Sequence, residues 1–287
     1  MKNDFDQNII VAYAGDETNT RSKIGGYTLM KQLFTSINSV RKNWSKDVEI
    51  VFIHTKPLSK HTEKMLKELN VVSLHAKRKV SDIFPIANKF LIGETYKGNK
   101  DILFLDCDTI IHRPIYFDTS SDMLVAFDAL QDISEERYRR LYHALGVDFP
   151  SGRFSEKPSY EYYYHDKKDL FPLINTGVYF IKNIHKDIFY KQLEQNFHKT
   201  YSLFKGEMGF YFDQICFALT MIQLGLHYIF FPKGYNFICT PRAPYLKDWP
   251  TNKIFIEHYA GDNGVPFVES RSIVNIIQPQ EDTIPEV

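Results

Sequence analysis

The first 110 residues alternate short apolar runs with amphipathic stretches, and this alternation restricts the fold more than any other feature. "NIIVAYAG" (8–15), "DVEIVFIHT" (47–55), "VVSLHA" (71–76) and "KDILFLDCD" (100–108) read as strands, the fourth apolar enough for a sheet centre. "GGYTLMKQLFTSINSV" (25–40) carries apolar residues near helical spacing. "SKHTEKMLKELN" (59–70) is an amphipathic helix with Ser59 as its cap, and "PIANKFLIGETY" (85–96) is a helix opened by Pro85. The series predicts an α/β fold: a mostly parallel, Rossmann-like sheet flanked by helices and joined by right-handed crossovers. Ligands of such sheets bind at the carboxyl ends of the strands, so "AYAGDE" after strand one and "DCD" after strand four should meet in one crevice.

The middle of the chain departs from this rhythm. Residues 131–171 are polar and rich in Tyr, with a helical pattern at "SEERYRRLYHALG" (134–146), and they read as a segment inserted between two strand-like runs. A lid, a substrate loop or an idle insertion all suit that position. The expected organisation is one domain over 1–270 and a polar tail over 271–287.

Charge excludes some partners. Lys and Arg number 35, as do Asp and Glu. No broad field exists to hold nucleic acid or an anionic membrane, although peripheral membrane contact through a local patch stays open. The three Cys show no pairing or metal spacing, the start is acidic, and no stretch approaches a membrane span. A cytoplasmic protein is the expectation. The 23 Phe and 18 Tyr suit a core, and Tyr also offers sugars a flat face with a hydroxyl.

Asp106 and Asp108 close the fourth strand run. If strand alternation holds, both carboxylates leave one face while Cys107 points away. A divalent cation would offset their repulsion; an ordinary turn with Asp at its corners is the other reading.

Further motifs follow in order: "VAYAGDE", "FLDCD", "FPLINTGVYFI", "GFYFDQICF" and "FIEHYAG". Together they resemble the retaining glycogenin and lipopolysaccharide galactosyltransferase family, metal-dependent enzymes of the Rossmann-like glycosyltransferase A type. The resemblance spans roughly residues 9 to 267. It implies that Asp106, Asp108 and His258 bind Mn²⁺ or Mg²⁺, which would bridge the phosphates of a UDP-sugar. It implies that Tyr13, Ala14, Gly15 and Asp16 line the nucleotide end, and that Lys89, Asn175 and Gly177 contact the donor. Lys89 stands where the family commonly has Arg, which keeps the charge without the bidentate fork. The Lys that closer relatives carry after the late His motif is absent from "DNGVPF", and Arg153 or Lys157 is a candidate substitute.

Gln214 and Asp213 are implied at the reacting sugar, with Asp128 on the acceptor side. Asp128 would become a general base were the reaction inverting. The expected reaction is retaining transfer of a hexose to a glycan or glycolipid. Two alternatives remain from sequence: a phosphatase or phosphotransferase of the haloacid dehalogenase type, which also uses Asp-x-Asp, and an inactive nucleotide-sugar-binding domain.

Overall fold

Apolar runs in the first half become strands within one to three residues of the expected bounds. The computed structural model describes residues 7–17, 29–128, 134–152, 161–162, 171, 173–204, 212–238 and 249–259. The strands are β1 (Ile9–Ala14), β2 (Glu49–His54), β3 (Val71–His75), β4 (Asp101–Leu105), β5 (Thr109–Ile111), β6 (Met123–Phe127), β7 (Ile174–Ile181), β8 (Tyr228–Phe230) and β9 (Ile256–His258). The α-helices are α1 (Leu29–Asn43), α2 (Lys60–Glu68), α3 (Ile92–Thr95), α4 (Glu135–Leu145), α5 (Asn183–Leu203) and α6 (Phe212–Gln223).

Seven strands form one sheet in the order β3-β2-β1-β4-β7-β6-β8, and β5 pairs with β9 in a separate ribbon. β1 runs parallel to β2 and β4, β2 to β3, and β6 to β8. β7 alone runs against its neighbours β4 and β6. The mostly parallel sheet expected from sequence is therefore present, with one reversed strand near its centre.

β1 shows how the sheet divides the core. Ile10 and Ala12 face the layer built by α3, α4, α5 and α6, whereas Ile9, Val11 and Tyr13 face α1, α2 and the ribbon. Ser59 caps α2 as its position predicts, accepting from Thr62 N at 3.2 Å. The helix expected over 85–96 is instead a 3₁₀ segment (Pro85–Leu91) running into α3. Ala87 through Leu91 are all buried, more than one face of an α-helix would hide, and the tighter winding accompanies this.

The described part of the inserted segment is a fold element. Ser134 caps α4, Gly146 ends it at φ +68°, and Tyr138, Leu141, Tyr142 and Leu145 join the main core. An idle excursion would bury none of these.

Candidate active site

β4 ends at Leu105 and the chain turns immediately. The Asp106 carbonyl accepts from Thr109 N at 3.2 Å and from Thr109 Oγ1 at 2.8 Å. Asp106 and Asp108 thus sit in a tight turn between β4 and β5, and strand alternation is not what aligns them. The consequence expected of alternation still holds. The Cys107 thiol points to the Ala14 carbonyl at 3.6 Å, while both carboxylates face His258. Ala14 and the acidic turn therefore meet at the strand ends, as the topology requires.

His258 arrives on β9. The ribbon pairs Thr109 with His258, and Tyr259 N donates to the Asp108 carbonyl at 3.1 Å. Its Nε2 lies 3.2 Å from Asp108 Oδ1 and 3.9 Å from Asp106 Oδ2. Ligand atoms of the three side chains all fall within 4.8 Å of one another.

The ribbon is held from behind by α1. Ser39 Oγ accepts from Ile111 N at 2.9 Å, Asn43 donates to the Ile111 carbonyl at 2.6 Å, and Ser36 Oγ bonds Thr109 Oγ1 at 3.1 Å. Positions 36, 39 and 43 share one helical face, so these polar residues form a template for β5.

Tyr13 belongs to this network and not to a nucleotide pocket. Strand parity turns its ring into the layer shared with α1, where it is wholly buried and its hydroxyl bonds Ser36 Oγ at 2.9 Å. Burial pushes that hydroxyl far up in pKa. Tyr13→Phe is expected to cost about 0.5–1.5 kcal/mol of stability. Chemical denaturation measures this, and UDP affinity should stay unchanged.

On the other flank, the β6–β7 register slips between Val125, opposite Tyr179, and Ala126, opposite Asn175. Thr176, Gly177 and Val178 leave the β6 ladder there. The Gly177 carbonyl accepts from Asp106 N at 2.7 Å, and Gly177 N donates to Asn175 Oδ1 at 2.8 Å. A Cβ on Gly177 would collide with His258 Cε1 and lie 2.7 Å from Nδ1. Gly177→Ala should therefore displace the imidazole and cost about 1–3 kcal/mol through overpacking. A thermal melt reads the loss, and an unshifted melt contradicts the packing described.

Lys89 occupies the centre of the acidic cluster. Its ammonium donates to Asp213 Oδ2 at 2.7 Å and to Thr176 Oγ1 at 2.8 Å, and lies 3.9 Å from Asp106 Oδ1. Thr176 passes the contact on, donating to Asp213 Oδ2 at 2.8 Å. Burial alone would favour the neutral amine, but Asp106 and Asp213 outweigh it and raise the Lys89 pKa. Burial pushes the Asp106 carboxyl up despite Lys89. Asp108 is also pushed up by burial, yet His258 outweighs this and holds it below the ordinary carboxylate value.

The remaining predicted residues have definite places. Asp213 lies in the first turn of α6, and Gln214 follows it; both are buried. Asp16 Oδ1 accepts from Thr55 N and Lys56 N at 2.7 and 3.0 Å, and Oδ2 from Thr55 Oγ1 at 2.6 Å. The carboxylate thereby braces the end of β2. Gly15 N donates to the Ile53 carbonyl at 3.0 Å, and a Cβ on Gly15 would meet Leu29 Cδ2 at 2.5 Å. Asp128, buried just past β6, adds to burial in raising the Tyr138 hydroxyl pKa and so sits on the α4 side. Arg153 and Lys157 lie outside the described residues. Sequence reasoning missed Thr176, although "INTGV" contains it, and missed Asn236, whose Oδ1 lies 3.1 Å from His258 Nδ1.

A mostly parallel sheet with an acidic turn after its central strand defines the class: this is the glycosyltransferase A architecture. Solved structures share it at low identity. The galactosyltransferase LgtC, in complex with donor and acceptor sugar analogs, matches with TM-score 0.57 and 13% identity over 88% of this chain and 87% of that one. Mouse xyloside xylosyltransferase 1 matches with TM-score 0.56 and 13% identity over 90% and 99%. The glycosyltransferase GlyE of Streptococcus pneumoniae matches with TM-score 0.54 and 15% identity over 88% and 54%. These likenesses establish the fold. In sequence, no curated protein matches. The profile of the Rhodobacterales glycosyltransferase domain matches residues 28–225, well over half the chain, and the protein belongs to that family of glycosyltransferases. The haloacid dehalogenase alternative falls with that result. The matched region includes Asp106, Asp108, Lys89 and Asp213 but ends before Asn236 and His258.

Proposed function

We propose that the enzyme transfers a hexose from a UDP-sugar to a glycan or glycolipid acceptor, with a divalent ion and with retention at the anomeric carbon. One observation carries this reading: Asp106, Asp108 and His258, from distant parts of the chain, bring their ligand atoms within 4.8 Å. The donor set fits Mn²⁺ or Mg²⁺, with two hard carboxylates and one imidazole. The cluster also wants positive charge. Asp106, Asp108 and Asp213 outnumber Lys89, the ammonium among them. When bound, the ion would offset charge on the departing diphosphate.

The other residues bind and orient. Lys89 holds the Asp213 carboxylate in place through Oδ2, and Asp213 Oδ1 is buried with no hydrogen-bond partner among the described residues. That oxygen is suited to a donor sugar hydroxyl. Gln214, the next residue, is assigned beneath the anomeric carbon. Ala14, Gly15 and Asp16 take the nucleotide end, where Asp16 Oδ2, which accepts one hydrogen bond, retains capacity for another. Asn175 and Gly177 support the donor side through the Asp106 backbone, and Asp128 with α4 faces the acceptor.

In the reaction the acceptor hydroxyl oxygen bonds to the anomeric carbon while the carbon–oxygen bond to the diphosphate breaks. The hydroxyl proton goes to the leaving phosphate oxygen. No helix among the described residues is long and apolar enough to cross a membrane. We assign the activity to the cytoplasm, acting on a surface-glycan precursor such as lipopolysaccharide. The test is a UDP-hexose panel with Mn²⁺, followed by proton NMR of the first product. An α-linked product from an α-linked donor is expected. A β-linked product would replace retention by inversion and make Asp128 the base. Absence of UDP release with every hexose would overturn the transferase reading.

A further inference from the structure

We infer that Asn236 is a positioning residue that selects the tautomer of His258 and so aims its Nε2 at the two carboxylates. This rests on the metal-dependent reading above. His258 has two ring nitrogens, and a neutral imidazole can offer a lone pair on only one of them. Nδ1 lies 3.1 Å from Asn236 Oδ1, and both residues are buried, 3% and 4% exposed. A carbonyl oxygen only accepts, so Nδ1 carries a hydrogen whether the ring is neutral or charged, and Nε2 is the nitrogen whose lone pair is open to a cation. Nε2 is the atom that faces Asp108 at 3.2 Å and Asp106 at 3.9 Å. The opposite tautomer would place a hydrogen where a cation must bind.

The chemistry favours an amide at this position. A carboxylate would also hold Nδ1–H, but it would add charge to a cluster that already contains Asp106, Asp108 and Asp213. An Asn sets the tautomer and adds none.

The backbone fixes Asn236 against the strand that carries its target. Gly234 adopts φ +91°, and a Cβ there would collide with the Lys253 carbonyl. Its own carbonyl accepts from Phe255 N and Ile256 N at 2.9 and 3.0 Å. Phe237 N donates to the Ile256 carbonyl at 2.9 Å, and His258 N donates to the Phe237 carbonyl at 3.0 Å. Asn236 therefore cannot drift without pulling β9 with it. Gly177, on the opposite flank, leaves the ring just the room it needs.

The test uses the full chain labelled with ¹⁵N-histidine, with His258 assigned by its loss in His258→Gln. Long-range proton–nitrogen NMR of the wild type should show His258 protonated at Nδ1. Free-Mn²⁺ counting by electron paramagnetic resonance should show Asn236→Leu binding about 10- to 100-fold more weakly than wild type. Asn236→Asp, which keeps the acceptor oxygen, should restore the tautomer. A wild-type His258 protonated at Nε2 and not at Nδ1 overturns the inference, and that measurement needs no variant to fold. Unchanged tautomer and Mn²⁺ affinity in Asn236→Leu overturn it as well. A wild type that binds no Mn²⁺ defeats the metal-dependent reading separately, because the tautomer comparison still decides the role of Asn236.

Discussion

Replacing Lys89 with Met is expected to destabilise the protein by about 3–5 kcal/mol, the cost of leaving a buried charge without its partner. For a chain of this size that lowers the melting temperature by on the order of 10 °C. The magnitude follows from burial. Lys89 and Asp213 are 4% and 1% exposed and meet at 2.7 Å, so water cannot replace the lost ammonium. Thr176 donates to the same Asp213 oxygen but brings no charge. The second arm is the double replacement Lys89→Met with Asp213→Leu, which removes both charges. It should recover much of the loss, because a buried pair exchanged for apolar groups is often close to neutral. A single variant that melts with wild type would show that the pair is not what organises the centre of the site.

Asp108→Asn should behave in the opposite way, with little loss of fold and a large loss of metal-dependent ligand binding. Its side chain is 20% exposed, and Tyr259 bonds its backbone carbonyl and not its carboxylate, so the turn survives the change. What disappears is one of the three carboxylates that outnumber the Lys89 ammonium. Mn²⁺-dependent UDP affinity should fall by at least roughly 100-fold, about 2.8 kcal/mol. Calorimetric titration with a parallel melt separates the two effects. Wild-type affinity in this variant would remove Asp108 from the metal site.

Much of the sheet was legible because apolar strands and amphipathic helices have different periods, and the first four strands carry strong versions of each. β7 was read as a strand, but its direction was not, since a strand buried on both faces looks alike either way. β5 and β9 have three residues each, too few to show any period. Yet their pairing delivers His258 to Asp108, so that residue was singled out through its motif and not through the fold. Tyr13 was misplaced because nearness to the strand end was weighed above parity; Ile9, Val11 and Tyr13 share one face. Lys89 was singled out because it stands where the family commonly has Arg, whereas its bond to Asp213 depends on packing between distant segments. Thr176 and Asn236 are single polar residues, and only the folded arrangement gives them work.

The central claim is that this turn and this histidine hold a divalent ion for a uridine nucleotide. Calorimetric titration of UDP into the wild-type protein, with Mn²⁺ and then with EDTA, tests it most directly. Saturable binding with Mn²⁺, lost with EDTA and weaker for GDP and CDP, is the predicted result. Equal UDP binding in EDTA, or preference for GDP or CDP, would contradict it.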